Sequence, residues 1–125
     1  MSVCQIWLDD TKFCVVDPED FEWAKKWRWH ATANSTGLKF YATRMTRERG
    51  TRRNIKVYLH KEILIRSQKR RPSKHHSIGD HDDGDSLNNR RGNLFWATFK
   101  MNNTRHRHKH VLQQVMRFSD ADERQ

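Results

Sequence analysis

Apolar and polar residues alternate in several short stretches of the first 65 residues, and this period of two predicts β-strands. Turn-forming Asp, Asn and Gly residues separate the stretches. The third and fourth alternating stretches, Arg28–Thr32 and Lys39–Arg44, flank Asn34-Ser35-Thr36-Gly37, and this arrangement predicts a hairpin. The predicted strands are Gln5–Leu8, Lys12–Val16, Arg28–Thr32, Lys39–Arg44 and Asn54–Tyr58.

Two helices are predicted in the same part of the chain. At the first, Asp17 can cap the helix, Pro18 suits the first helical position, and acidic residues follow in the first turn. That helix is expected to run to about Lys26. The second is expected over Leu59–Ile65.

A second group of elements follows a basic connector, Ser67–His76, which contains few apolar residues. From Ser77 onward the pattern predicts a strand, a long loop, a second strand and a helix that Thr98 can cap. The chain is therefore expected to be α+β, with a small antiparallel unit and linker over residues 1–74. A second unit is expected over 75–115 and a polar tail over 116–125, and the two units are small enough to share one core.

Composition and charge narrow the possible partners. Only 34% of the residues are hydrophobic, so a thin core rich in its five Trp and six Phe is expected. Lys and Arg number 25 against 15 Asp and Glu, a formal net charge of +10. This excess predicts a polyanionic partner, most simply a nucleic acid. Charge alone distinguishes neither DNA from RNA nor a binding protein from an enzyme.

Cysteine usage and hydropathy exclude other classes of protein. The chain contains Cys4 and Cys14 and no Cys-x-x-Cys pair, so no structural zinc site is expected. The sequence contains neither a signal peptide nor a long apolar span, so we expect a soluble, cytoplasmic protein without a membrane partner.

The loop that begins at Asp80-His81 contains the candidate chemistry. A carboxylate, an imidazole and the carboxamide of Asn102 could converge on one phosphate. A neutral histidine is a suitable general base near neutral pH, and magnesium prefers oxygen ligands. Since adjacent strand residues face opposite sides, Asp80 and His81 can serve one site only where the strand ends or is distorted.

In order and spacing, the segment from about Ile78 to Asn103 resembles the HNH endonucleases, specifically the homing-type subgroup of phages and introns. The shared pattern is Asp-His-x-Asp-Gly-Asp, then Asn-Asn-Arg, then Asn-Leu, then Asn. The resemblance implies a ββα-metal (His-Me finger) motif that hydrolyses DNA with Mg²⁺, for which Mn²⁺ is expected to substitute. It also implies a nicking enzyme that acts as a monomer or weak dimer.

The resemblance implies a role for each matching residue. His81 would be the general base, and Asn93 would fix the loop and orient the histidine. Asp80 and Asn102 would be the metal ligands, with His106, one helical turn further, as a second-rank ligand. The chain departs from the pattern at Asp82, where the subgroup usually has Ile.

Arginine-rich stretches are expected to contact DNA phosphates. The expected contacts are Arg44, Arg47, Arg52, Arg53, Arg70, Arg71, Arg90, Arg91 and Arg105. The aromatic residues of the first unit are instead expected in the core: Trp23, Trp27, Trp29, Phe40 and Tyr41.

Less specific interpretations stay open at this point. Asp80-His81 could cap a turn without binding metal, Asn88 and Asn89 suit turns better than ligation, and His60 fits packing better than phosphate contact. Two other functions remain possible: an inactive basic DNA-binding protein on the same scaffold, or a nuclease acting on RNA or structured nucleic acid.

Overall fold

The computed structural model describes residues 2–102 and shows an α+β chain built from antiparallel strand pairs. The elements, in order, are β1 (Cys4–Trp7), β2 (Phe13–Val16), α1 (Pro18–Ala24), β3 (His30–Ala33), β4 (Phe40–Arg47), β5 (Asn54–Tyr58), α2 (Leu59–Arg66), β6 (Ile78–His81), a short 3₁₀ helix (Arg91–Asn93) and β7 (Leu94–Ala97). A helical turn follows over residues 99–102.

The strands form three sheets within the described residues: β1 with β2, β3 with β4 and β5, and β6 with β7. The α+β class is confirmed. The predicted strands and helices all form, with ends displaced by a few residues, because period-two alternation marks the middle of a strand better than its ends.

The start of α1 differs from the prediction. Asp17 precedes the helix in an extended conformation, but its side chain makes no capping hydrogen bond. Its Oδ2 instead accepts a hydrogen bond from the Arg91 backbone N–H, at 2.8 Å. A contact between residues 74 positions apart has replaced the local cap, and it fastens the start of the 3₁₀ helix to α1.

One hydrophobic core serves the whole described range. It joins apolar residues of β1, β2, α1 and β4 to those of α2 and β7. The buried members include Val16, Trp29, Ile63, Leu94 and Trp96. Segments 2–74 and 75–102 therefore fold against each other around a shared core.

Strand β2 also holds the loop that connects β6 to β7. Val15 bridges Asn88 in parallel fashion: its N–H donates to the Leu87 carbonyl at 2.9 Å, and its carbonyl accepts from the Asn89 N–H at 2.8 Å. The Ser86 hydroxyl donates to the Phe40 carbonyl. This long loop is therefore fixed by the N-terminal half of the chain.

The basic connector is also attached to the core. The Lys69 ammonium donates to the Leu94 carbonyl at 2.7 Å and to the Arg91 carbonyl, and the Trp96 indole N–H donates to the Lys69 carbonyl at 3.0 Å. The Arg71 guanidinium lies 4.2 Å from the centre of the Trp96 ring. These contacts fix the connector against β7.

The expectation for the aromatic residues holds only in part. Trp29 is buried and its indole N–H donates to the Ala24 carbonyl at 2.8 Å. Trp27, in contrast, is 37% exposed, so its assignment to the core was wrong. Its ring covers the edge of Trp29, with 6.5 Å between ring centroids. Within residues 2–102, no helix is long and apolar enough to cross a bilayer.

Candidate functional site

Asp80 and His81 lie at the end of β6, opposite Phe95 and Leu94 of β7. Both are buried, with 0% and 2% of their surface exposed. Asp80 Oδ1 accepts a hydrogen bond from the His81 N–H at 2.8 Å. Tyr41 lies near both: its ring centroid is 6.3 Å from that of His81, and the Asp80 charge adds to the effect of burial in raising the tyrosine pKa. Both residues therefore lie in the protein interior where the strand ends.

The hydrogen bond of His81 defines its tautomer. Its Nε2 lies 2.8 Å from Asn89 Oδ1, inside the protein. A carboxamide oxygen can only accept, so Nε2 carries the proton and the lone pair is on Nδ1. Burial lowers the pKa of His81, while the bond to Asn89 acts in the opposite direction. His81 is therefore a neutral imidazole at neutral pH, with one nitrogen able to accept a proton.

A second buried group, the Cys14 thiol, lies in β2 near Asn89. Burial raises the pKa of Cys14 to about 12, and Asn89 acts in the opposite direction. The thiol stays protonated at neutral pH. Asn89 is held by its backbone N–H, which donates to the Val15 carbonyl of β2, and by its Oδ1, which lies 2.8 Å from His81 Nε2.

Asn93 fixes the loop that follows His81. Its Nδ2 donates to Asp83 Oδ1 and to the Asn88 carbonyl, both at 2.9 Å, and its Oδ1 accepts from the Asp83 N–H at 3.0 Å. Partial burial of Asp83 opposes its ionisation, but hydrogen bonds from Asn88, Asp85 and Asn93 hold its pKa below the ordinary value. Gly84 permits the turn because its φ is +78°.

His60 packs directly beneath the catalytic candidates. It lies in the first turn of α2, and its ring centroid is 4.9 Å from that of His81. Gly79, the residue before Asp80, leaves room for it: a Cβ there would lie 2.7 Å from His60 Cδ2. Burial, followed by the proximity of His81, lowers the pKa of His60 to about 3. His60 is therefore a neutral group and not an acid at neutral pH.

A cavity of about 320 Å³ opens beside these residues. Asn102 reaches it from the helical turn after β7, which Thr98 caps: the Thr98 hydroxyl accepts from the Met101 N–H at 3.1 Å. Asn102 Oδ1 is buried and has no hydrogen-bond partner among residues 2–102. The cavity is lined by Tyr41, Tyr58, His60, Lys61, Ser77, Ile78, Gly79 and Asn102. Asn102 therefore lines the same cavity as Gly79, which precedes Asp80, and His60, which packs against His81, although Asp80 and His81 are not themselves among the lining residues.

The oxygen donors at this place suit a hard divalent cation. Asp80 supplies a carboxylate and Asn102 an amide oxygen, and magnesium needs few protein ligands because it retains several waters. The described part of the chain contains no group of three or more His, Cys, Asp or Glu side chains that could hold a metal. A softer ion that prefers nitrogen or sulfur ligands fits the site less well. His106 lies outside the described residues.

The arginines expected to contact DNA fall into distinct environments. Arg44 is half-buried and stacks on two tryptophans, 4.5 Å from the Trp27 ring and 5.5 Å from the Trp29 ring. Arg91 makes a bidentate ion pair with buried Asp20, at 2.7 and 2.9 Å. Both guanidinium groups are therefore engaged in contacts within the protein. Arg105 lies outside the described range, and the exposed members are Arg47, Arg52, Arg53, Arg70, Arg71 and Arg90.

Sequence reasoning missed two polar groups of the site. Asn89 was interpreted as a turn former and Tyr41 as core, whereas both lie next to His81. The packing role expected of His60 is confirmed, and its partner is His81. The alternation of side chains along β4 could have identified Tyr41. Tyr41 lies on the same sheet face as Thr43, and Thr43 pairs with Tyr58, the residue before α2.

Comparisons of the chain with protein-family models, curated proteins and solved structures found no match.

Proposed function

We propose that this chain is an HNH-type endonuclease that hydrolyses DNA phosphodiester bonds with a divalent cation. One observation carries the proposal: neutral His81, with its proton on Nε2, follows Asp80 at the buried end of β6 and packs against His60, which lines the same cavity as Asn102. A base with a free lone pair next to oxygen donors for a cation is the equipment that phosphodiester hydrolysis requires.

In the proposed reaction, Nδ1 of His81 accepts a proton from a water whose oxygen attacks phosphorus. The bond from phosphorus to the 3′ oxygen breaks, and that oxygen takes a proton from solvent. The products are a 5′-phosphate and a 3′-hydroxyl. Asn89 keeps the imidazole in the required tautomer, and Asn93 keeps the loop from displacing it.

Asp80 and Asn102 would hold Mg²⁺, or Mn²⁺ in its place. When bound, the cation would stabilise the charge that develops on the phosphoryl and leaving oxygens. One such site cuts one strand, so a single chain would produce nicks. The excess of basic residues would supply the affinity for DNA.

Cleavage of supercoiled plasmid tests the proposal. Wild type with Mg²⁺ should yield nicked circles, and EDTA should abolish the reaction. His81→Ala should be inactive yet still retard the plasmid on a gel. His75→Ala, which alters an exposed histidine of the connector, is the matched control and should nick normally.

Substantial nicking by His81→Ala would contradict the assignment of the base. If no variant nicks while all retard the plasmid, the chain is a DNA-binding protein on this scaffold. Cleavage of RNA or branched substrates, but not of duplex DNA, would instead change the substrate class.

A further inference from the structure

The sheet formed by β3, β4 and β5 has a face that is continuous with the cavity. In β4, Tyr41, Thr43, Met45 and Arg47 alternate onto this face. The register places Tyr58 opposite Thr43, Lys56 opposite Met45 and Asn54 opposite Arg47. Tyr41 and Tyr58 line the cavity. On the same face, the positions further from the cavity along β4 and β5 are Met45, Arg47, Asn54 and Lys56.

The outer part of β4 and β5 extends beyond the core. Met45 is 57% exposed on one face and Ile55 is 39% exposed on the other, and residues 49–56 are all exposed. Nearer the core, Ala42 is buried and Arg44 stacks on Trp27 and Trp29, which fixes the base of this two-stranded ribbon. The ribbon, residues 45–56, is therefore an exposed arm whose end nearest the core is held in place by packing.

The arm is strongly basic. Glu48 is its one acidic residue, and its carboxylate lies 3.4 Å from the Thr51 hydroxyl. None of the ion pairs found among residues 2–102 involves the basic residues of the arm. Those residues are Arg47, Arg49, Arg52, Arg53 and Lys56.

We infer that this arm binds duplex DNA on one side of the cut site, with Arg47 and Lys56 facing the phosphate backbone. The inference rests on the proposed function, because it takes the cavity beside His81 as the cut site. A two-stranded ribbon fits the major groove of B-DNA, and unpaired arginines bind phosphates well. Exposed Met45, opposite Lys56 and two residues before Arg47 on β4, supplies an apolar contact beside the two cations.

The length of the arm sets the size of the contact. Four residue steps separate Tyr58 from Asn54, about 13 Å at the rise of a strand. With the turn, the arm reaches about 20 Å from the cavity, which corresponds to about 6 base pairs of B-DNA. Protection should therefore extend further on one side of the cut than on the other.

A charge-matched pair of double variants tests this inference. Arg47→Ala/Lys56→Ala removes two charges from the arm, and Lys26→Ala/Arg28→Ala removes two charges from an exposed segment after α1. Fluorescence anisotropy with a 30-base-pair duplex in EDTA, over a series of salt concentrations, measures both. The arm variant should bind about tenfold more weakly and lose about two units of the slope of log K against log salt, and the control should lose less.

Equal weakening by both double variants would overturn the inference, since only overall charge would then matter. Loss of affinity for an RNA duplex but not for DNA would also overturn it. Hydroxyl-radical footprinting of His81→Ala, compared with the same protein carrying Arg52→Ala/Arg53→Ala at the turn, should show the distal protection disappear. Failure of wild type to nick plasmid would refute the proposed function separately, because the binding measurements require no cleavage.

Discussion

Asn89 Oδ1 lies 2.8 Å from His81 Nε2, inside the protein and eight positions along the chain. This contact makes a loop asparagine the residue that decides which nitrogen of the candidate base is free. It depends in turn on β2, whose Val15 carbonyl accepts from the Asn89 N–H at 2.8 Å. The protonation state of the site is thus linked to the N-terminal half of the fold.

Replacing Asn89 should change the pH dependence of nicking. Burial lowers the pKa of His81 below the ordinary value of 6.5, so the wild-type rate should already be on its plateau at pH 7 and fall only in more acidic solution, as His81 becomes protonated. In Asn89→Asp the added carboxylate favours the imidazolium, so the fall should occur at higher pH. Initial nicking rates between pH 5 and pH 9 measure this. An unchanged profile would show that Asn89 does not act on the base.

His60 should make the protein less stable in acid. Its pKa is about 3 in the folded protein against 6.5 for an ordinary histidine. Below pH 6.5 the unfolded chain binds a proton that the folded chain does not, so this contribution to stability is complete above pH 6.5 and is lost as the pH falls towards 3. The slope should approach about 1.4 kcal/mol per pH unit. Urea unfolding of wild type and His60→Phe should show a shallower dependence in the variant; equal slopes would contradict the assignment.

Gly79→Ala should destabilise the site, whereas Gly92→Ala should not. A Cβ at Gly79 would lie 2.7 Å from His60 Cδ2 and 3.1 Å from Leu64 Cδ1, whereas one at Gly92 would meet nothing within 4 Å. Overpacking of this kind costs about 1–3 kcal/mol of unfolding free energy. Urea denaturation of both variants measures the difference, and similar midpoints would show that α2 can move away from β6 without cost.

Arg91→Ala should lower stability rather than affinity for DNA. The variant would leave the buried Asp20 carboxylate with Arg66, whose Nε is 3.3 Å from Oδ1, as its remaining cation. Breaking a buried ion pair from one side costs about 3 kcal/mol. Arg70→Ala, at an exposed position, is the control for stability. If the variant instead lost much of its DNA affinity at an unchanged unfolding free energy, Arg91 would be a DNA-contacting residue, as the sequence suggested.

Asn102→Ala should raise the Mg²⁺ concentration needed for half-maximal nicking, because Asn102 Oδ1 is the buried amide oxygen that lacks a partner among residues 2–102. Excess Mg²⁺ should restore part of the rate, since Asp80 would remain as a ligand. Titration of nicking with Mg²⁺ measures the shift. A reduced maximal rate at unchanged metal dependence would show that Asn102 acts in another way.

The local sequence pattern determined most of the secondary structure of this protein. Alternation marked the strands, Pro18 marked the start of α1, and Thr98 marked the cap that orients Asn102. These features depend on neighbouring residues, so a sequence displays them directly. The spacing from Asp80 to Asn102 likewise suggested the candidate residues, and the structure places Asn102 on a cavity that Gly79 and His60 also line.

Tertiary structure decided what the local pattern could not express. Asp17 accepts from Arg91 instead of capping its own helix, Arg44 stacks on tryptophans, and Asn89 selects the tautomer of His81. For each of these side chains the sequence suggested a role with neighbouring residues or with DNA. In the structure each side chain instead contacts a residue that is distant in the sequence. The free energy of a buried hydrogen bond or ion pair depends on partners that only folding brings together. The sequence by itself therefore determined which side chains are present at the site, and the packing of β2, α2 and the loop after β6 determined their protonation and partners.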